Sequence, residues 1–337
     1  MLYSILRRLL FLLPAEAAHH VALKSLRGLQ RCGCLPTPAR GSAVTLWGLH
    51  FPNRIGLAAG LDKNGEYIDA LAAMGFGFIE IGTVTPKPQP GNPKPRLFRL
   101  PQARALINRM GFNNHGVDYL IQQKQQSQYR GIVGINIGKN ASTPLEQAAD
   151  DYVLGLQKAY PHASYITVNI SSPNTAGLRQ LQAEQQLNQL LQALKAAQQQ
   201  CAAQHHRYVP LLIKIAPDLT ADEVKMIASL LIAHNIDGVI ATNTTLSREG
   251  VAGQLHNEQT GGLSGAPLFK RSLAIVQQLY QQLQGKVPII ACGGISSQEQ
   301  AEQMLAAGAS LLQVYTGFIY QGPSLIKTLV CCGKVME

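Results

Sequence analysis

The chain has 337 residues, 46% of them hydrophobic and 14% charged, with a formal net charge of +10. That balance excludes a disordered chain and supplies enough apolar surface for one large core. The charge is local: residues 1–40 carry +5 and residues 81–117 carry +6, leaving the remainder close to neutral. Two such basic segments suggest a membrane surface and an anionic ligand. They come without a zinc-finger, helix-turn-helix or aromatic RNA-binding signature, so nucleic acid is not an expected partner. The cysteines Cys32, Cys34, Cys201, Cys292, Cys331 and Cys332 match neither zinc-knuckle nor C-x-x-C spacing, which points to reduced thiols and no metal site.

The first segment, "MLYSILRRLLFLLPAEAAHHVALKSLRGLQ", reads as two short amphipathic helices. Its apolar core, Leu9 to Leu13, is shorter than the ~7–15 residues of a secretory signal and far short of the ~20 of a membrane span. Leu2, Ile5, Leu6, Leu9 and Leu13 share one helical face, with Arg7 and Arg8 elsewhere. Pro14 suits the first turn of the second helix, with Glu16 near its positive end. Ala18, Val21, Ala22, Leu26 and Leu29 form the second helix's apolar side. Such a pair can lie on a bilayer without crossing it, or pack on the main domain as a cap, and the sequence leaves both open. "RCGCLPTPARGSA" is a linker, which divides the chain into an arm (1–40) and a main domain (41–337).

Eight apolar runs follow, beginning at residues 54, 78, 132, 165, 209, 237, 287 and 311. Most are continuously apolar, as parallel strands covered on both faces are. Helix-like segments separate them. Thr220 before Glu223 and Ser296-Ser297 before Glu299 are N-cap signals, and Gly75 and Gly308 are stops. Eight alternations predict a (β/α)₈ TIM barrel. Two long insertions interrupt it, one after the second strand with six prolines over 85–116 and one after the sixth. Insertions of that kind are expected to cover the C-terminal mouth.

Residues at the strand C-termini converge on that mouth. In order they are Ala59-Gly60 and Lys63, Thr83, Asn136, Asn169 with Ser172, Lys214, Thr242-Asn243-Thr244, Gly293-Gly294 and Tyr315-Thr316. This ring is rich in amides and hydroxyls and poor in carboxylates, with Asp62 alone nearby. It suits a polar heterocycle and anions better than a magnesium-dependent or carboxylate reaction. The "ACGGISS" turn can cradle a phosphate on backbone N–H groups, or can be a tight turn and nothing more. Lys214 can form a Schiff base or stabilise negative charge on a bound cofactor. Ser172, in "NISSPNT", has a turn-forming role open to it before Pro173.

The motifs "GLAAGLDKNGE", "FIEIGTVTPKPQPGNPKPRLFRL", "INRMGFNN", "GINIGKN", "VNISSPNT", "KIAPDL", "DGVIATNTT", "TGGLSG" and "YTGFIYQGP" together resemble class 2 dihydroorotate dehydrogenases. These are the membrane-associated, quinone-linked enzymes of pyrimidine synthesis. The resemblance runs from the arm nearly to the C-terminus. It implies FMN in the barrel mouth, held by Ala59, Gly60, Leu61, Asp62, Lys63, Thr83, Asn136, Asn169, Lys214, Thr242, Gly265, Gly294, Tyr315 and Thr316. Lys214 then stabilises anionic reduced flavin. Dihydroorotate or orotate is held by Lys63, Asn108, Arg109, Met110, Gly111, Phe112, Asn169, Asn174, Asn243 and Thr244.

The resemblance also makes Ser172 the base that removes the C5 proton as hydride leaves C6 for the flavin, where the cytosolic class carries cysteine. Thr175 and Ser171 are candidates to relay that proton. The arm becomes a quinone tunnel with His19, Arg99 and Tyr315 along it, seated peripherally on the cytoplasmic side of the cell membrane. His115 has no matching role and is read as a loop residue. Competing readings are another FMN-dependent barrel oxidoreductase with a soluble acceptor, and a non-catalytic barrel on a membrane surface.

Overall fold

The structure is a computed structural model that describes residues 2–35 and 41–331. The expected arm–barrel boundary near residue 40 and Cys332 lie outside the described residues. The barrel strands are Ile55–Leu57, Phe78–Val84, Ile132–Ile137, Tyr165–Asn169, Leu211–Ile215, Gly238–Ala241, Ile289–Cys292 and Leu311–Val314. Each pairs in parallel with the next in chain order, and the eighth returns to the first. The chain therefore folds as the (β/α)₈ barrel that its apolar runs predict.

Two layers of core follow from strands buried on both faces. Inside the barrel, Phe78, Tyr165, Leu212, Ile240, Ile290 and Leu311 fill the bore. Gly56 makes room there, because a Cβ on it would lie 2.2 Å from the Phe78 ring. An antiparallel hairpin, Val44–Leu46 with Leu49–Phe51, plugs the N-terminal end and stacks Phe51 edge-on against Phe78 at 5.3 Å. Outside, the helices pack aliphatic faces on the strands, each fully buried side chain contributing about 1.5–3 kcal/mol. Thr220 and Glu223 form a complete capping box, and Ser297 caps the helix that starts at Gln298. The caps keep helix starts in register with the strands beneath them.

The two insertions are not separate covers. Leu97–Leu100 and Ala105–Asn108, from the first, pair with Gly262–Gly265, from the second, in one antiparallel sheet above the mouth.

The arm consists of helices Leu2–Leu12 and Ala15–Arg31. The first docks through a mixed side: Tyr3 Oη donates to the Ile319 carbonyl at 2.6 Å, Arg7 to the Tyr320 carbonyl at 2.5 Å, and Phe11 meets the Tyr320 ring edge-on at 5.6 Å. Its apolar row faces outward, with Ile5, Leu6, Leu9, Leu12 and Leu13 all exposed. The second helix buries Ala18 and Leu23 but leaves Val21 and Leu29 exposed, so the apolar side expected of it divides between two directions. Among the described residues no helix is long and apolar enough to cross a membrane.

Candidate active site

The strand C-termini open into a single cavity. The barrel rim is its floor, the three-stranded sheet its roof, and Glu16 and His19 of the second helix part of its side wall.

The floor is a connected set of amides and hydroxyls. Thr83 Oγ1 donates to Asn136 Oδ1 at 2.6 Å and accepts from Asn169 Nδ2 at 2.9 Å. Asn169 Oδ1 accepts from Ser171 Oγ at 2.9 Å and from Asn243 Nδ2 at 3.3 Å. Lys214 pairs in register with Asn169, so both reach the same level of the bore. Ser172 is buried in the next turn, its Oγ accepting from the Asn174 backbone N–H at 3.3 Å. Asn174 Nδ2 reaches Asn108 Oδ1 at 3.2 Å, which brings the first insertion against the turn after the fourth strand.

Arg179 fixes this turn. Its guanidinium donates to the Ser171 carbonyl at 3.1 Å, to the Thr244 carbonyl at 2.8 Å and to Asp218 at 2.9 Å. Three donors of one rigid fork thus hold the serine turn against the loop after the sixth strand. The loop from Asn108 to Phe112 is tied from behind, with Gln89 Nε2 donating to the Gly111 and Phe112 carbonyls.

Electrostatics single out the side facing the arm. Lys63 donates to the Gly60 carbonyl at 3.0 Å, and burial, followed by the Arg96 charge, pushes its pKa down to about 8. Burial and then Lys63 push His19 down to about 3, so its imidazole is neutral at physiological pH. Burial pushes the Tyr315 phenol up to about 12.

The family model described as Dihydroorotate dehydrogenase matches residues 42–331. A dihydroorotate dehydrogenase (quinone) of Aromatoleum aromaticum is 61% identical over 98% of this chain and 94% of its own length. One of Acinetobacter baumannii is 56% identical over 98% of this chain and 99% of its own. Of solved structures, an Eimeria tenella DHODH in complex with ferulenol superposes with a TM-score of 0.85 at 37% identity, covering 92% of this chain and 89% of that one. A ligand-free form from the same organism gives 0.84 at 38% identity, covering 92% of both chains.

The chain belongs to the dihydroorotate dehydrogenase family.

Most residues expected at the site of a dihydroorotate dehydrogenase line this one cavity. They include Ala59, Gly60, Lys63, Thr83, Asn169 and Ser172 from the first half of the barrel. Lys214, Thr242, Asn243, Thr244, Gly265 and Gly294 come from the second half, with Tyr315 and Thr316 at its end. Asn108, Met110, Gly111, Phe112 and Asn174 complete the roof side.

Five expected residues do not line it. Leu61 is buried beside the cavity, and the Asp62 carboxylate accepts from the Glu66 and Tyr67 backbone N–H groups at 2.9 and 2.7 Å. Asp62 therefore shapes the loop that presents Lys63. Asn136 lies one level below the floor, donating to Glu80 at 2.7 Å. Arg109 turns outward to Gln259 and the Pro95 carbonyl, both at 2.9 Å, and stacks over Phe98. Arg99 anchors the arm, donating to the Phe11 and Leu13 carbonyls at 2.9 and 2.6 Å with its charge over the Phe11 ring. His115 is exposed and rests against Tyr119, in keeping with a loop role.

Sequence reasoning missed Glu16, Gln313 and Ser264 in the cavity wall, and Arg179 behind it. It also missed Glu80, although a carboxylate inside the apolar run "FIEIGTV" was a visible signal, since a strand buried on both faces rarely carries a charge without partners. Among the described residues no cluster of His, Cys, Asp or Glu could hold a metal ion.

Proposed function

We propose that this protein oxidises dihydroorotate to orotate in pyrimidine synthesis, with FMN in the barrel mouth as first electron acceptor and a membrane quinone as second. One observation carries the reading: a single cavity joins an amide-rich floor, a buried serine and a lysine to a wall supplied by an amphipathic arm. Relatives named for the quinone-linked reaction, matched over nearly the whole chain, support it.

The residues present fit FMN. Gly294 has φ +78°, and a Cβ on it would lie 2.5 Å from the Phe269 backbone nitrogen, so this turn is a cradle that only glycine forms. Such turns offer backbone N–H groups to phosphate. Toward the ring, Lys214 supplies a cation, and Thr244 Oγ1 and Gln313 Oε1 are buried without partners among the described residues. When bound, FMN supplies a two-electron acceptor that later passes electrons to quinone.

The chain's own residues do the rest. Lys63 meets the substrate carboxylate, and the Asn108–Asn174 and Asn169–Asn243 amides answer the alternating N–H and C=O groups of the pyrimidine. Ser172 Oγ takes the C5 proton as hydride leaves C6, which forms the ring double bond. A hydroxyl is a weak base, so its burial and a proton path onward are required. Of the two relay candidates, Ser171 has its proton committed to Asn169, whereas Thr175 Oγ1 is buried and unpartnered among the described residues. That contrast supports Thr175. Lys214 acts as a cation, since the reaction needs no imine.

Residues 1–40 form a membrane-seated access arm on the catalytic barrel of residues 41–337. The outward leucine row, with Leu12 81% exposed, supports peripheral seating on a membrane, which we place on its cytoplasmic face. His19 and Tyr315 flank the path from that arm to the flavin, and Arg99 holds its first helix. The test is anaerobic rapid mixing of the flavin-loaded protein. Dihydroorotate should bleach the flavin absorbance, and a ubiquinone analogue, not fumarate or a nicotinamide nucleotide, should restore it. Flavin that stays oxidised with dihydroorotate refutes the reading.

A further inference from the structure

The eight barrel strands carry two charged side chains, Lys214 and Glu80. Lys214 reaches the cavity, but Glu80 lies beneath it, fully buried, and the proposed chemistry does not use it. A buried ion of this kind is commonly less stabilising than an apolar side chain of the same volume. Its hydrogen bonds show what it does. Oε1 accepts from Asn136 Nδ2 at 2.7 Å. Oε2 accepts from Gln313 Nε2 at 2.7 Å, Tyr165 Oη at 3.0 Å and Thr167 Oγ1 at 3.2 Å. Two of these donors are amide N–H groups, which cannot accept in return.

Direction propagates upward along both arms of this network. On one arm, Asn136 gives its N–H to Glu80 and is left with Oδ1, which accepts the Thr83 hydroxyl at 2.6 Å. With that proton committed, Thr83 Oγ1 accepts from Asn169 Nδ2 at 2.9 Å. Asn169 Oδ1 is thus left to accept from the Ser171 backbone N–H at 3.2 Å and from Asn243 Nδ2 at 3.3 Å, and Asn243 Oδ1 accepts from the Thr244 backbone N–H at 2.7 Å, so backbone donors above enforce the same directions as Glu80 below. On the other arm, Gln313 spends its N–H on Glu80 and retains Oε1 as an acceptor without a partner among the described residues, in a fully buried side chain set into the cavity wall.

We infer that Glu80 is a positioning residue, an acceptor anchor that sets the direction of the Asn136 and Gln313 amides and, together with the Ser171 and Thr244 backbone N–H groups, fixes which atoms of Asn169 and Asn243 act as donors and which as acceptors toward the bound rings. This rests on the proposed function for what those rings are. Dihydroorotate and flavin both present fixed sequences of N–H and C=O, so an inverted amide on the floor sets donor against donor.

Glu80→Gln tests it without changing shape. The new N–H must face Asn136 or Gln313, and on either arm it inverts an amide. In the double variant with Gln313→Glu, the new N–H of residue 80 donates to the carboxylate at 313. The Asn136 arm keeps its direction and residue 313 keeps a free acceptor oxygen, while the Tyr165 and Thr167 hydroxyls, which donated to the same Glu80 oxygen, must accept from the new N–H or give up their bonds to it. Flavin affinity is read by fluorescence on release from the full-length protein, and orotate affinity by the flavin absorbance change. Glu80→Gln should weaken flavin or orotate binding about tenfold, the scale of one mispaired hydrogen bond, and the double variant should recover most of it.

A packing role predicts no recovery, because all three proteins share one shape. Variants indistinguishable from the unsubstituted protein, or a folded double variant without recovery, overturn the inference alone. Unsubstituted protein that takes up no flavin overturns it together with the proposed function. Should Glu80→Gln not fold, Gln313→Leu carries the test, since it keeps the carboxylate and removes one acceptor. Flavin and orotate held as tightly as before then refute the inference.

Discussion

The depressed pKa of Lys63 makes substrate-anion binding sensitive to pH in a range where carboxylates do not titrate. Burial and the Arg96 charge outweigh the opposing pull of Glu16 and Asp62 and bring the ammonium down to about 8. In the free protein, about nine-tenths of Lys63 is then charged at pH 7 and about one-tenth at pH 9. If only the charged form meets the substrate carboxylate, orotate should bind about tenfold more weakly at pH 9 than at pH 7. Removing the ammonium with Lys63→Met forfeits a charge-assisted hydrogen bond of about 1.5–3 kcal/mol, or about 10- to 150-fold in affinity. That variant should show no alkaline slope. Orotate titration monitored through flavin absorbance isolates binding from catalysis. Linkage supplies a second check. A lysine whose folded pKa lies below its unfolded value costs stability while it is charged, and the cost is relieved as pH rises from 8 to 10.5. Lys63→Met should thus melt higher than the unsubstituted protein at pH 7, with the gap closing by pH 10.5. A flat orotate profile in the unsubstituted protein, or the same slope in Lys63→Met, refutes the reasoning.

Ser172→Ala should keep its flavin and lose about 10²- to 10⁴-fold in single-turnover flavin reduction by dihydroorotate; an unchanged rate removes Ser172 as the base. His19, held neutral by burial down to a pKa of about 3, binds a proton more readily unfolded, so stability is lost as pH falls from 6.5 toward 3. Relative to His19→Gln, the loss should be about 1–2 kcal/mol by pH 5 after allowance for partial exposure, measured by urea unfolding. Burial opposes ionisation of Glu16, but Arg96 and Lys94 overcome it and hold the carboxyl below its usual range. Glu16→Ala strands Arg96, which is 6% exposed, and should loosen the arm. Limited proteolysis should cut within residues 1–35, and quinone-linked reoxidation should fall while reduction by dihydroorotate persists.

The barrel was legible because parallel strands covered on both faces leave continuous apolar runs, and eight of them allow few other closures. The floor was legible for the same reason, since strand ends in a parallel barrel share one side. What escaped were interactions between segments remote in sequence. The roof sheet pairs Leu106 with Ser264, and no local pattern announces that partnership. Asp62 and Arg109, placed at the site by the resemblance, have their charged groups engaged outside the cavity. Each sits next to residues that reach the cavity, yet Asp62 is drawn to two loop N–H groups and Arg109 to a neighbouring turn. Short-range backbone donors compete effectively for a carboxylate, and adjacency in sequence does not reveal that competition.

The docking of the arm reverses the usual logic of amphipathic helices. A helix that caps a soluble domain buries its apolar stripe and leaves its charges in water. Here the first helix spends Tyr3 and Arg7 on barrel carbonyls, and Arg99 reaches back to the carbonyls at its end. The leucine row faces outward as a result. Hydrogen bonds and a buried ion pair can hold the arm in a fixed orientation without consuming that row, because directional polar contacts specify geometry where apolar contacts do not. The second helix continues from this anchored turn and places Glu16 and His19 in the cavity wall. The same rigid connection therefore couples an exposed apolar surface to the chamber above Lys214 and Ser172. On the proposed function, this places the arm between a bilayer-borne electron acceptor and the chamber, with the roof sheet on the chamber's other side.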